Sequence, residues 1–296
     1  MAKRGPKHGN ILGIKISSTS REQLLASIAD RLDKKDKFFI VTPNPEIVLM
    51  ATNDWLLKKT IVRADYSVPD GIGLAQAYRF MKIETPEGLL RPFHLVFQGL
   101  KIGLDTLIDK KRVTDSLNII KGRELFWDVI DILDRKKSRV YFFGGEHLES
   151  QKSIEIISKK YKNLIIKTAN EFPIYGKNGQ PATKKDRLLH KKVVGSVKLF
   201  EPDFIFVALG APKQEKWILR NFFRLNATGA MAIGGTFRYV SGLSKLPPKW
   251  MERLGLEWFW RLITEPFRLK RIFNAFPVFP YKVFIWKYKK LYQRDN

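Results

Sequence analysis

The sequence predicts an α/β fold, in which a mostly parallel sheet carries helices on both faces and a helical C-terminal appendage follows. Two observations support this prediction. Six short segments rich in Val, Ile and Phe are mostly apolar along their length, as strands covered on both faces are. They alternate with longer segments that have helical spacing, and this alternation is typical of parallel sheets. Because ligands of such folds bind beyond the carboxyl ends of the strands, we expect the functional residues in the loops there.

The predicted elements alternate along most of the chain. The strands are Ile11–Ser17, Phe38–Thr42, Val140–Phe143, Leu164–Thr168, Phe204–Leu209 and Met231–Ile233. The helices are Arg21–Lys34, Pro45–Lys59, Glu146–Tyr161, Lys184–Glu201 and Pro212–Leu225. Ser20 can cap the first helix, and Pro45 suits the first position of the second. Together these elements predict a Rossmann-like core.

Two segments interrupt the alternation. Residues 82–121 contain prolines and glycines, and we interpret them as an irregular insertion into a core that spans residues 1–243. Residues 244–296 are aromatic and basic and form the predicted appendage, which we expect to associate with a membrane. Its most apolar stretch, Ile272–Trp286, is interrupted by two prolines and a lysine. We therefore expect it to rest on a membrane surface rather than to cross the bilayer.

The composition restricts the partners of the chain. Its 54 Lys and Arg against 29 Asp and Glu give a formal charge of +25. Such a charge favours an acidic partner, which is nucleic acid, an anionic bilayer or a phosphorylated substrate. The absence of cysteine excludes disulfides and a cysteine nucleophile, and fits a reducing cytoplasm. We find neither a secretory leader pattern nor a P-loop motif.

Two loops at predicted strand ends carry polar side chains. Thr42 and Asn44 present a hydroxyl and an amide at a predicted helix start, where backbone N–H groups are unpaired. Asn44 could equally serve as a simple cap of that helix. Asp70 lies between a proline and a glycine, where it is either a turn or cap residue or a general base.

Glycines follow two further predicted strands. Gly144 and Gly145 separate a strand from a helix, and glycines at such a position let the backbone approach a pyrophosphate. Gly235 lies in the corresponding loop after the last predicted strand. We therefore include these glycines among the candidate substrate-binding residues.

The loop after the fifth predicted strand is suited to an anionic ligand. Gly210 precedes a helix whose first turn contains Lys213 and Gln214. A lysine at that end opposes the helix dipole, and a nearby anionic ligand would explain it. By contrast, the chain has no Asp-x-Asp pair and its four histidines lack ligand spacing, so we expect neither a metal nor a cofactor.

These loops, in this order, resemble the WecG/TagA/CpsF glycosyltransferase family. The matching strings include Thr42-Pro43-Asn44-Pro45-Glu46, Pro69-Asp70-Gly71-Ile72-Gly73, Ala211-Pro212-Lys213-Gln214-Glu215, Gly234-Gly235-Thr236-Phe237 and Leu254-Gly255-Leu256-Glu257-Trp258. The resemblance implies an inverting, metal-independent hexosyltransferase. It implies transfer of N-acetylmannosamine or its uronic acid from UDP to undecaprenyl-diphosphate-linked N-acetylglucosamine, for teichoic acid, common antigen or capsule.

The resemblance also implies roles for individual residues. Asp70 is the expected catalytic base, with Thr42 and Asn44 beside it, and Gln214 is expected to contact the donor. The arginines expected to close over the active site are Arg261, Arg268 and Arg271. Their spacing would place them on one face if they shared a helix. The implied location is the inner face of the cell membrane, and a homo-oligomer is left open.

Two stretches depart from the family pattern. The segment after the Asp-Gly-Ile-Gly loop is longer than in family members, so the arginine of their Arg-Val-Thr-Gly motif has no secure counterpart. Arg112 is one candidate, whereas the helix start with a glycine looks like Lys121-Gly122-Arg123-Glu124. The chain beyond about Asn274 is an extension. A basic RNA-binding or RNA-modifying protein is the alternative interpretation, with aromatic side chains stacking on bases.

Overall fold

The computed structural model describes residues 8–266 and 269–295. The strands in this part of the chain are β1 (His8–Ile11), β2 (Ile14–Ser17), β3 (Phe38–Val41), β4 (Tyr66–Ser67), β5 (Arg139–Gly144), β6 (Ile165–Thr168), β7 (Phe204–Ala208) and β8 (Gly229–Ala232). The last six form one sheet in the order β4-β3-β8-β7-β5-β6. All neighbouring strands in this sheet are parallel, which confirms the predicted α/β fold.

Helices surround the sheet and continue into the C-terminal region. They are α1 (Arg21–Lys34), α2 (Pro45–Asn53), α3 (Trp55–Arg63), α4 (Ile72–Lys82), α5 (Arg91–Ile108), α6 (Lys110–Thr114), α7 (Gly122–Arg135), α8 (His147–Lys160), α9 (Lys184–Phe200), α10 (Lys213–Asn221), α11 (Thr236–Val240), α12 (Lys249–Arg253), α13 (Glu257–Thr264), α14 (Leu269–Phe273) and α15 (Phe279–Asp295). Helix α1 has the predicted bounds, and the side chain of Ser20 caps it.

Alternate strand residues enter two apolar cores. Phe39 and Val41 of β3 belong to a core that includes side chains of α2, α4, α9 and α10. Phe38 and Ile40 belong to a second core with side chains of α1 and α7. Since successive side chains of a strand point to opposite faces, the two cores lie on the two faces of the sheet. The prediction of helices on both faces is therefore confirmed.

Two predicted elements are wrong in their extent. The predicted strand Ile11–Ser17 is the antiparallel hairpin β1–β2, which lies outside the main sheet. Leu12 and Gly13 have φ of 53° and 75°, as the two central residues of a tight hairpin turn do. The predicted helix Pro45–Lys59 is two helices, because Asp54 ends α2 and caps α3.

The segment predicted to be irregular contains a long helix. Within residues 82–121, α5 extends for 18 residues and α6 follows it directly. Pro92 lies in the first turn of α5, where proline is tolerated because the backbone N–H has no partner there. Strand β4 was not predicted, and at two residues it is too short for a pattern to emerge.

The C-terminal helix α15 packs on α4. Phe284 stacks on Phe80 with ring centroids 6.4 Å apart. The buried ammonium of Lys287 donates to the backbone oxygens of Phe80 and Ile83, at 2.6 and 2.7 Å. Over the described ranges, the structure has no helix long and apolar enough to cross a membrane.

Candidate active site

The loops predicted to carry function share one edge of the sheet. Strands β4, β3, β8, β7 and β5 are consecutive neighbours and run parallel, so their carboxyl ends lie along the same edge. The loops that follow them contain Asp70, Thr42, Gly235, Gly210 and Gly145 respectively. The topology therefore brings together the loops that the sequence singled out.

Asp70 lies against Thr42 and the start of α7. Its backbone N–H donates to the oxygen of Pro43 at 2.9 Å, and its carboxylate accepts a hydrogen bond from the N–H of Gly122. A Cβ at Gly122 would lie 3.1 Å from Thr42 Oγ1 and 3.3 Å from Asp70 Oδ2. This position therefore admits little more than a glycine. The residue that begins α4 as its cap is Gly71, so Asp70 does not cap this helix.

The carboxyl group of Asp70 is unusually basic. Burial raises its pKa to about 6, while the charge of Arg261 and the hydrogen bond from Gly122 act in the opposite direction. The charge of Glu257 raises the pKa further. Asp70 nevertheless remains half-buried rather than enclosed. A half-accessible carboxylate with this pKa is suited to accept a proton near neutral pH.

Asn44 caps α2. Its Oδ1 accepts a hydrogen bond from the N–H of Ile47 at 2.9 Å, so the capping interpretation holds for this oxygen. Glu46, in the first turn of the same helix, is buried and pairs with Arg271. The start of α2 is thereby tied to the C-terminal region.

Gln214 is buried and connects two loops of the site. Its Oε1 accepts from the N–H of Gly234 at 2.9 Å, and its Nε2 donates to Glu215 Oε1 at 2.8 Å. The second oxygen of Glu215, Oε2, has no hydrogen-bond partner within the described ranges. Burial raises the pKa of Glu215 to about 7, against the hydrogen bond from Gln214 and the charge of Arg271. Lys213 precedes this pair and is half-exposed.

The glycines of the site have different surroundings. Gly144 and Gly145 have φ near +90°, and a Cβ on either would collide with Leu209 or with Ser150. Tight packing therefore explains these two glycines. A Cβ at Gly210 would meet no atom within 4 Å, so the loop before Lys213 faces open space. Gly235 is the N-cap residue of the short helix α11.

The predicted arginines approach the site from two helices. Arg261 lies on α13 and Arg271 on α14, so these two arginines do not share a helix and the condition for one shared face is not met. Pro266 separates the two helices, and proline cannot continue a helix. Arg261 is near Asp70 and 5.9 Å from the ring centroid of Tyr239, whereas Arg271 Nε is 2.9 Å from Glu46 Oε2. Arg268 lies outside the described residues.

An ion-pair network that the sequence did not suggest joins α7 to α12 and α13. Lys121 Nζ is 2.7 Å from Glu257 Oε1 and 3.0 Å from Glu252 Oε1. Arg123 pairs with both glutamates as well. Burial alone would raise the pKa of Glu257, but Lys121 and Arg123 outweigh it and leave the pKa below its ordinary value. The network fixes α13, and with it Arg261, over Asp70.

The structure shows which part of the longer segment after the Asp70 loop reaches the site. Arg112 is on α6, largely exposed, and pairs with its neighbour Asp109. Gly122, by contrast, contacts Thr42 and Asp70. The helix start at Gly122 is therefore the part of this segment that reaches the site, and Arg112 does not.

The chain is similar to known proteins over most of its length. The model of the glycosyl transferase WecG/TagA/CpsF family matches residues 9–101 and 107–293. The chain belongs to this family. A relative from Staphylococcus aureus (strain NCTC 8325 / PS 47) is 26% identical over 276 residues, which cover 93% of this chain and 91% of the relative. A relative from Bacillus subtilis (strain 168) is 28% identical over 243 residues, 82% of this chain and 78% of the relative.

Both relatives are named N-acetylglucosaminyldiphosphoundecaprenol N-acetyl-beta-D-mannosaminyltransferase. The chain is accordingly an enzyme, a glycosyltransferase, and the RNA-binding alternative loses its support. For an enzyme of this family, the edge of the sheet at the carboxyl ends of the strands is the part to consider for substrate binding. In open α/β sheets, ligands bind outside the carboxyl ends of the strands.

Sequence reasoning missed several residues of this glycosyltransferase site. Gly122, Lys121 and Arg123 were noted only as a helix start, and their approach to Asp70 depends on contacts across the fold. Glu215 was part of a quoted motif, but nothing in the sequence shows that its carboxyl is buried. Glu257 was likewise part of a quoted motif, the Leu-Gly-Leu-Glu-Trp string, but the sequence does not show its ion pairs.

Proposed function

We propose that the enzyme transfers an N-acetylhexosamine, N-acetylmannosamine or its uronic acid, from UDP to undecaprenyl-diphosphate-linked N-acetylglucosamine. The transfer proceeds with inversion and without a metal ion, and it serves the synthesis of a cell-surface glycopolymer. The names of the two relatives support the sugar and the acceptor. The observation that carries the proposal is the half-buried Asp70 with its raised pKa, held between the Thr42 loop, Gly122 and Arg261.

Asp70 is the base in this proposal. An inverting transfer needs a carboxylate that removes the acceptor proton while the hydroxyl attacks the anomeric carbon from the face opposite the leaving group. With a pKa of about 6, Asp70 is mostly ionised at neutral pH and is more basic than an ordinary aspartate. Thr42 lies beside it and can hydrogen-bond to the acceptor hydroxyl. Gly122 and Arg261 keep the carboxylate in place.

Positive groups along the same edge stabilise the departing UDP. The leaving diphosphate gains negative charge, which helix N-termini and cationic side chains can neutralise. The nine-residue helix α10 starts at Lys213, directly after the open loop at Gly210. Arg261 and Arg271 approach from the C-terminal region. These cationic groups support the metal-free form of the proposal, because they can neutralise the charge that a metal ion would otherwise balance.

The membrane-associated part of the proposal rests on exposed apolar side chains in two places. On α5, Phe93 and Phe97 lie one turn apart and are 71% and 68% exposed. In the C-terminal region, Phe276, Tyr281 and Trp286 are exposed, whereas Phe279 and Val283 pack inward on the core. Amphipathic helices of this kind rest in the interfacial layer of a bilayer, and basic side chains attract anionic lipid. The enzyme then works at the inner face of the cell membrane, where the lipid-linked acceptor is accessible.

A donor panel tests the proposed function. Purified full-length enzyme is offered several UDP-sugars together with N-acetylglucosaminyl-diphospholipid, and the product is identified by mass spectrometry. We expect a product only with UDP-N-acetylmannosamine or its uronic acid, with a mass increase of one such sugar. If only another UDP-sugar gave a product, the proposed donor would be wrong. If no UDP-sugar of the panel gave a product, the proposed function would be overturned.

A further inference from the structure

An apolar groove lies between α4, α5 and residues 276–284. Its volume is about 490 Å³, within the range of roughly 300–1,000 Å³ typical of ligand pockets. Buried side chains form its floor, among them Phe80, Leu95, Ile102, Phe279 and Val283. None of its lining residues is ionisable near neutral pH. The groove is therefore suited to an uncharged, apolar ligand.

Two glycines of α5 keep this groove open. Gly99 and Gly103 lie one helical turn apart and both line it. A Cβ at either position would meet no atom within 4 Å, so the space that their missing side chains leave is not filled by the protein. Glycine in a helix interior is less stable than alanine. Packing within the protein does not account for the two glycines, whereas a ligand in the groove would.

One end of the groove reaches the active site. Gly73, three residues after the proposed base, is part of its lining. Gln76 also lines the groove, and its side chain donates to Thr106 Oγ1 at 2.9 Å. A Cβ at Gly255, in the loop before α13, would lie 3.6 Å from Thr106. The apolar groove thus begins where α4, α5 and the C-terminal region meet beside Asp70.

We propose that this groove binds the isoprenoid chain of the lipid-linked acceptor, next to the diphosphate. The inference rests on the proposed function, because it takes the acceptor to be a polyprenyl diphosphate sugar. The sugar lies at the polar end, within reach of Asp70, and the chain runs from Gly73 along Gly99 and Gly103. The exposed rim of the groove, which includes Val96 and Leu100, faces the bilayer from which the chain enters.

The test fills the groove without disturbing the protein. In the double variant Gly99→Leu/Gly103→Leu, the new side chains project into space that no protein atom occupies. Gly195→Leu is the matched control, since Gly195 lies within α9, away from the groove, and its Cβ also meets nothing within 4 Å. The kcat and KM of each full-length protein are measured with two acceptors that share the same sugar diphosphate. One carries a long polyprenyl chain, and the other carries a short, water-soluble alkyl chain.

The wild-type enzyme and Gly195→Leu should prefer the long-chain acceptor in kcat/KM. The double variant should lose at least about tenfold of this preference, mainly through KM, because the leucine side chains occupy the space that the chain needs. A photoreactive polyprenyl diphosphate should label α5 or residues 276–284 in the wild type and much less in the double variant. An unchanged chain preference, or labelling elsewhere, would overturn the proposal. No transfer by the wild type to either acceptor would instead contradict the proposed function.

Discussion

The two ends of the proposed acceptor site differ sharply in chemistry. Around Asp70, charged groups from the start of α7 and from α13 converge, and the ion pairs of Lys121 and Arg123 with Glu257 hold the helix that carries Arg261. In the groove between α4 and α5, no lining residue is ionisable near neutral pH. Gly73 belongs to the groove yet lies only three residues after Asp70 in the chain. The contrast indicates a site divided between the sugar and diphosphate on one side and the lipid on the other.

Removing the proposed base should have the largest effect on the polar end. Asp70→Asn keeps the shape and removes the proton acceptor, so kcat should fall by about 10²–10⁴-fold. The exposed Asp36 supplies the control Asp36→Asn, which should retain wild-type kcat. Initial rates with saturating donor and acceptor measure both variants.

The fold of Asp70→Asn can be checked by its thermal midpoint. The pKa of Asp70 is about 6 in the folded protein, above the ordinary 3.8. Ionisation of this group therefore destabilises the folded state, and the penalty is complete above about pH 6. At pH 7.5 the variant should melt at the same temperature as the wild type or higher. A large fall in Tm would mean that lost activity reflects lost structure.

A charge on the exposed apolar face of α5 should weaken membrane binding. Phe97→Glu places a carboxylate on the exposed face of α5, outside the groove, and should lower the affinity for anionic liposomes by about tenfold. Leu199→Glu, on the 86% exposed Leu199 of α9, introduces the same charge away from this face. Cosedimentation with anionic and neutral liposomes measures the affinity. Equal effects of the two substitutions would remove α5 from the membrane-binding surface.

The ion-pair network should set the pH dependence of the polar end. Since Asp70 must be ionised to act as the base, kcat/KM should rise as the pH increases through about 6, which forms the rising limb of the pH profile. Glu257 raises the pKa of Asp70, so Glu257→Gln should move the rising limb of the pH profile to lower pH. Arg261→Gln should move it to higher pH, because Arg261 lowers the pKa of Asp70. The control Glu252→Gln removes a partner of the same two cations and should shift the limb less.

Chelation should have the smallest effect. The described residues offer no cluster of three carboxylate or histidine ligands, so transfer should continue at an unchanged rate in EDTA. The rate is measured with and without excess EDTA, before and after addition of magnesium or manganese. Loss of activity that either cation restores would contradict the metal-free proposal.

The sequence was informative where the pattern is local. The bounds of α1, the parallel sheet and the polar loops at Thr42, Asp70 and Gln214 follow from periodicity, capping and strand ends. Pro266, between Arg261 and Arg271 in the sequence, is a local signal that α13 ends before Arg271. Helix α5 was not predicted because it contains a proline and glycines, which are typical of loops. The proline lies in the first turn, where a helix tolerates it.

The rest depends on contacts between distant parts of the chain. Nothing local distinguishes Gly122 from other helix-start glycines, because its constraint comes from Thr42 and Asp70, about fifty or more residues earlier in the chain. The raised pKa values of Asp70 and Glu215 require burial by several elements at once. The groove exists only because α15 packs beside α5 on α4. Such features follow from tertiary packing, which periodicity does not encode.

The division of the site is tested most directly by kinetics that separate chemistry from lipid binding. Asp70→Asn and Gly99→Leu/Gly103→Leu are each assayed with the long-chain and the short-chain acceptor, and kcat and KM are determined for all four combinations. The account predicts that Asp70→Asn lowers kcat by the same factor with both acceptors, whereas the groove variant raises KM chiefly for the long chain. A defect of Asp70→Asn that depended on chain length, or a groove variant that lowered kcat equally with both acceptors, would contradict it.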